Sequence, residues 1–397
     1  MDISMRRQGP RAAVLFAALI LLVALLAAGI VYVGSHVTQP ERLLGLPTTP
    51  GGWERVPIRL PAGQTGRVVS LAAAPRGSLA LVEVGEVEEG PYELFATMRG
   101  DSWVRVPPDA YPVIDHDGAN WALHGSDRGF LLSENGDVWF SADGFDWQVM
   151  ARRTENPDLA HGEMQRVEAG GPGYVAVGNN NSTWYSTDGS DWTLAQVQPP
   201  AEFFESQGFA APEWGMDGLA VAGDKLIAWG NASQNIGVMW TSRDGRSWSN
   251  VPYVLGPSDN NGPGALAAGP RGFVAVFEDG GQLVFRASAD GSTWEQIHSL
   301  GAARSTDADG TQLELTMSSI AASDAGFLAV GEFGEFCLFT CAPGEIVIWT
   351  SEDGRSWSRL PSDARFARAG APKVVAWGDR FVMGGTQDGE PVTWISE

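Results

Sequence analysis

The sequence predicts an all-β fold: a seven-bladed β-propeller of four-stranded blades, closed by an N-terminal strand and preceded by one transmembrane helix. Three observations carry this expectation. A Ser-x-Asp-Gly-x-x-Trp stretch recurs as SADGFDW (141–147), STDGSDW (186–192), SRDGRSW (242–248), SADGSTW (288–294) and SEDGRSW (351–357), with a degenerate copy, TMRGDSW, at 97–103. The spacing of its tryptophans, 44 to 63 residues, is that of a repeat array. Around each copy lie four short apolar runs separated by Gly or Asp-Gly turns, such as MQRVEAG, GYVAVG, STWYST and DWTLAQ, which is the grammar of one blade.

Residues 1–11 carry three arginines and one aspartate and read as a cytoplasmic N-terminus. Residues 12–33, AAVLFAALILLVALLAAGIVYV, hold no charge and span roughly 33 Å as a helix, enough to cross a bilayer core. Arginines on the leading side predict a retained signal anchor, N-terminus inside, with the remaining chain outside the cytoplasm at the cell membrane. Residues 34–50 form a short tether, and 51–397 the propeller.

Six complete blades begin near residues 68, 118, 164, 216, 264 and 317. A seventh starts at PKVVAW (372–377), continues through RFVMGG and ends at VTWISE, one strand short. GGWERVP (51–57) resembles the fourth-strand segment SWSRLP (356–361) and has no blade in front of it. The expectation is that Trp53–Val56 completes the last blade and closes the ring, removing the exposed edges of an open sheet.

The repeated turn has a structural reading. Asp143, Asp188, Asp244, Asp290 and Asp353 accept hydrogen bonds from turn amides, the glycine takes the positive φ, and the tryptophan packs between blades. A second aromatic column precedes the turns at Phe95, Trp139, Trp184, Trp240, Phe285, Trp349 and Trp394. These turns resemble the Asp-box, or bacterial neuraminidase repeat, of sialidases, sortilin-type receptors and photosystem-assembly propellers, in a variant one residue shorter between Asp and Gly. The resemblance covers about residues 51–397 and implies the fold; it does not imply an activity.

A propeller places the turns after strands one and three on one face, and the second-to-third loops and inter-blade links on the other. The tether enters from the turn side, so the links are expected to look outward and to carry any site. The longest link, QPPAEFFESQGFAAPEWGM (198–216), offers Glu202, Phe203, Phe204, Glu213 and Trp214, the last as a stacking platform or as an aromatic tucked against the disc. The sixth blade offers Phe333, Phe336 and Phe339 on a loop that a Cys337–Cys341 disulfide would stiffen. Acidic turns at DHDG (115–118) and DADG (307–310) put Asp115, Asp117, Asp307 and Asp309 forward as calcium ligands, although neither supplies a full set; otherwise no cofactor is expected.

The net charge of −22 argues against nucleic acid as a partner. Sialidase chemistry needs an arginine cluster with a tyrosine–glutamate pair. Here Arg243, Arg246 and Arg355 fall in turns, Arg76, Arg128, Arg271 and Arg380 in first-to-second hairpins, and there are only six tyrosines. Glu168 and Asp217 are carboxylates expected near the axis. The reading is a membrane-anchored, extracytoplasmic module that binds a protein partner; the alternative is a glycan-binding or glycoside-hydrolysing protein on the same scaffold.

Overall fold

The computed structural model describes residues 52–396, except 86–89, 113, 115–120, 135, 201–212, 233–235, 252–262, 307–309 and 336–343. Their strands make seven sheets arranged as blades, antiparallel apart from one added edge strand. The first blade is Gly66–Ala74, Gly77–Val84, Tyr92–Thr97 and Val104–Arg105, paired in that order. The first strands of the next six are Trp121–Ser126, Met164–Gly170, Trp214–Ala222, Ala265–Gly269, Gln312–Ser323 and Ala369–Trp377. Each packs on the first strands of both neighbouring blades, so the seven encircle one axis.

The ring closes through the chain ends. Trp53–Pro57 lies antiparallel to Glu390–Ser396, with Trp53 opposite Ser396 and Pro57 opposite Val392. Thr393 Oγ1 donates to the Val56 carbonyl at 2.7 Å and accepts from Trp103 Nε1 of the first blade at 2.8 Å. A 3₁₀ turn, Ala364–Phe366, is capped by Asp363 and drops Phe366 edge-on against Trp53 and Trp394, at 6.5 and 5.5 Å between centroids. The seam is therefore packed as well as hydrogen-bonded.

Two sheets depart from four strands. Gln196–Val197 runs parallel to Ser247–Trp248 on the outer edge of the fourth blade, and Arg304–Thr306 pairs with the start of the sixth blade's first strand. Both are link segments that cover otherwise unpaired strand edges, a local opportunity that strand periodicity does not announce. The sixth blade is also the tallest: its first two strands are 12 and 10 residues long.

The five complete turns share one hydrogen-bond scheme. In the second blade, Asp143 Oδ1 accepts from the Phe145 and Asp146 amides at 2.9 and 3.1 Å. The buried Ser141 hydroxyl accepts from Gly144 N and donates to Asp143. Trp147 Nε1 donates to the Gly144 carbonyl at 3.1 Å. The aspartate, serine-to-aspartate and tryptophan bonds recur at Asp188, Asp244, Asp290 and Asp353. The turn glycine is required twice over. Gly291 has φ +81°, and a Cβ there would lie 2.6 Å from Ile227 Cδ1 of the preceding blade. In the degenerate copy Thr97 replaces the serine and still accepts from Gly100 N, but Arg99 stands where the aspartate should be, and Trp103 finds its partner in the seventh blade.

Among the described residues no helix is long and apolar enough to cross a membrane; residues 12–33 lie outside them.

Candidate functional site

The first strands start on the link face and run toward the turn face, so their leading residues line the axial mouth on the link side. At the turn-face end neighbouring strands close in: a Cβ on Gly125 would meet the Ala73 carbonyl at 1.9 Å. Near the mouth, three blades contribute cations. Arg67 is the second residue of the first blade's inner strand, Arg166 the third of the third blade's, and Lys373 the fifth of the seventh blade's. Arg166 and Lys373 each follow directly on a register shift in their strands.

Blades three and seven are not neighbours, so groups from them that sense each other do so across the axis. The Lys373 ammonium lies in that setting. Burial first, then the charges of Arg166 and Arg67, holds its pKa below the ordinary lysine value. Among the described residues neither Lys373 nor Arg166 has a hydrogen-bond or ion-pair partner. Arg67, by contrast, pairs with Glu83, which is 1% exposed on the neighbouring strand.

The carboxylates around them are differently engaged. Glu168 Oε2 sits 2.5 Å from His124 Nε2, bridging the third and second blades. Asp217 accepts from Asn231 Nδ2 at 3.2 Å; partial burial raises its pKa, opposed by that bond and by the charge of Arg166. Ser319 and Val374 exchange two hydrogen bonds of 3.2 Å and lock the sixth and seventh blades together beside Lys373.

The described link-face residues singled out in the sequence, Glu213, Trp214 and Phe333, are not among these groups. Glu202, Phe203, Phe204, Phe336, Phe339, Cys337, Cys341, Asp115, Asp117, Asp307 and Asp309 lie outside the described residues. Trp214 is not a stacking platform. It opens the fourth blade's inner strand, is 6% exposed, and packs on Trp240 with 4.9 Å between centroids. Glu213 precedes it and is exposed. Phe333 lies two blades away, half-buried against the core shared by blades five and six. Among the described residues no group of three or more His, Cys, Asp or Glu could hold a metal.

Glu168 and Asp217 were legible as axial carboxylates. Arg67, Arg166, Lys373 and His124 were not picked out, although Lys373 is one of two lysines in the chain, and a lysine inside an inner strand is itself a signal. Three tyrosines are spent elsewhere: Tyr111 OH accepts from the buried Leu94 amide, and Tyr174 and Tyr185 lie beneath Arg128 and Arg246.

No protein-family profile matches the chain. No curated protein matches it either. Solved structures do. YCF48 bound to D1 peptide is 13% identical with a TM-score of 0.55, over 89% of this chain and 96% of that one. The Aleuria aurantia lectin in complex with α-methyl-L-fucoside is 11% identical at a TM-score of 0.42, over 85% and 93%. A Trypanosoma rangeli sialidase in complex with 2,3-difluorosialic acid is 11% identical at 0.44, over 88% and 59%. The likeness to YCF48 establishes a β-propeller fold and, at 13% identity, leaves the ligand to be argued from this chain's own residues.

Proposed function

We propose that the chain is a membrane-anchored, extracytoplasmic binding module that docks a protein partner on its link face, over the axial mouth. The observation that carries this reading is Lys373, a half-buried ammonium with no counter-ion among the described residues, with the exposed Arg166 across the axis from it. A half-buried charge without a counter-ion is costly to the free protein, and a partner that supplies the opposite charge relieves that cost. The ring fixes both groups in advance, so little ordering entropy is spent on binding. The fold is one on which a peptide has been seen, in YCF48. The anchor rests on the uncharged stretch 12–33. The repeated turns are of the shortened Asp-box kind and serve the frame. The reading calls for no cofactor.

Mild cross-linking of the full-length protein in its native membrane, with identification of what co-purifies, tests it. One defined protein, recovered with the native chain and lost from the Lys373→Met/Arg166→Gln variant, is the expected result. Recovery of surface glycan and no protein would replace this reading with the carbohydrate one.

A further inference from the structure

The fourth and fifth blades part on the turn face. Between blades three and four, and between five and six, the first-to-second hairpins press on their neighbours. A Cβ on Gly170 would lie 2.8 Å from Val221 Cγ1, and one on Gly269 would lie 2.9 Å from Ala322 Cβ. The hairpin of the fourth blade is not so pressed, and a Cβ on Gly223 meets nothing within 4 Å.

The gap holds two lobes. The inner lobe, about 410 Å³, lies between the two hairpins, with Val221, Ala222 and Gly223 from the fourth blade and Ala268 and Pro270 from the fifth. The outer lobe, about 260 Å³, is polar, with Thr241, Ser247, Ser249 and Arg243 from the fourth blade and Asp290 and Ser292 from the fifth. Lys225 lines both lobes and reaches over the gap, its Nζ donating to the Ala289 carbonyl at 2.7 Å.

Most of the charges here are spent. Arg243 is paired with Asp224 at 3.1 Å, and the Asp290 carboxylate accepts from the Ser292 and Thr293 amides and the Ser292 hydroxyl. Lys225 has no carboxylate partner among the described residues, and two of its three ammonium hydrogens are unspent. The Thr241, Ser247 and Ser249 hydroxyls also have no partner among the described residues.

Such a cleft suits an elongated ligand that is apolar at one end, hydrogen-bonding at the other and negatively charged between. No aromatic side chain lines either lobe, so a sugar ring or a nucleobase finds no stacking face. A free inorganic anion answers Lys225 and leaves the apolar lobe to water. Val221 belongs to the first strand of its blade and Ser249 to the fourth, three strand spacings or about 14 Å apart, which is the span of about four residues of extended chain.

We propose that this cleft binds an extended peptide segment of about four residues. An aliphatic side chain fills the inner lobe, an acidic side chain meets Lys225 Nζ, and main-chain groups bond to the Thr241, Ser247 and Ser249 hydroxyls. This is a second contact, on the turn face, and it does not depend on the link-face reading.

The chain has two lysines, so acylation reads the cleft directly. The full-length protein in detergent is treated with an acetylating N-hydroxysuccinimide ester, and modification of Lys225 is followed by mass spectrometry with Lys373 as the internal control. Three pools of N-acetylated tetrapeptide amides are added in turn. The first pairs Leu, Ile or Val with Asp or Glu at adjacent or alternate positions; the second carries Asn or Gln for the acid, and the third Gly for the aliphatic residue. The first pool slows Lys225 acetylation in a saturable way and leaves Lys373 unchanged, and the other two need concentrations about tenfold higher. Ser249→Ala, an exposed change, weakens the protection about fivefold, and Ala268→Phe fills the inner lobe and removes it.

No protection by the first pool up to about 1 mM overturns the proposal. Equal protection by the second pool overturns the carboxylate contact, and equal protection by the third overturns the aliphatic one. Protection by dihexanoyl phosphatidylglycerol or inorganic phosphate where the first pool is silent gives the cleft to a lipid headgroup or to free phosphate and overturns the peptide. The Lys373→Met/Arg166→Gln variant keeps the Lys225 protection, so failure at the cleft and failure of the link-face reading are told apart.

Discussion

Trp357 of the sixth blade lies flat on Phe285 of the fifth, with 3.9 Å between ring centroids and 17° between planes. The two rings belong to the two aromatic columns of the sequence: Trp357 ends a repeated turn, and Phe285 sits in the third strand before one. Their contact is where one blade is glued to the next. Trp357→Ala removes a ring that is 7% exposed and should cost about 3–5 kcal/mol, read as a fall in unfolding free energy by denaturant titration. Phe285→Ala combined with Trp357→Ala should cost clearly less than the two single changes added together, because the partner is already gone. Full additivity would mean that the stack contributes nothing of its own.

Glycines in the turns separate two causes that sequence cannot. Gly223 and Gly291 both have positive φ, +63° and +81°, but a Cβ on Gly223 meets nothing within 4 Å while one on Gly291 runs into Ile227. Gly223→Ala should therefore cost about 1 kcal/mol from backbone strain alone. Gly291→Ala should cost about 1–3 kcal/mol more, since it also forces two blades apart. Equal melting temperatures for the two variants would show that the close approach is not energetically used.

The turn aspartates make an acid-sensitive frame. Amides of the following residues hold the Asp188 and Asp353 carboxylates down at about 2, and the Ser292 hydroxyl and amides do so at Asp290. A carboxylate with a folded pKa below its unfolded value of about 3.9 contributes stability that is complete above the unfolded pKa and is lost as pH falls through the folded one. The melting temperature should thus be insensitive to these groups above about pH 5 and fall between about pH 4 and pH 2. The Asp188→Asn/Asp290→Asn/Asp353→Asn variant should melt lower at pH 7 and show a shallower acid slope. An acid slope identical to that of the native chain would remove these turns as its source.

Much of this frame was readable because its physics is local and repeated. The serine, aspartate, glycine and tryptophan of a turn act within seven residues, so the motif spells its own hydrogen bonds. Closure was readable because Trp53–Val56 and the incomplete seventh blade are complementary leftovers. The axial site was not, because Arg67, Arg166 and Lys373 are more than 300 residues apart at the extremes and converge only once the ring is closed. Trp214 stood between two readings, platform or tucked aromatic, for a related reason: at the end of a long link it reads as loop, whereas it is the first residue of an inner strand, whose side chain turns into the blade against Trp240.

Closure itself is open to a direct test. The seventh blade receives its fourth strand from Trp53–Pro57, and without it Glu390–Ser396 exposes an unpaired edge. Trp53 would also leave Phe366 uncovered, and Thr393 would lose its acceptor at Val56 while still holding Trp103 of the first blade. Deleting residues 41–57 should lower the melting temperature of the whole disc and not merely fray one end, because the seam between the seventh and first blades is where the ring is locked. Hydrogen exchange should show the loss of protection spreading from Arg380–Gln387 and Glu390–Ser396 into Gly66–Ala74, the strand across the seam. A variant that melts where the native chain does, with protection lost only at Glu390–Ser396, would mean that the strand decorates the ring and does not close it.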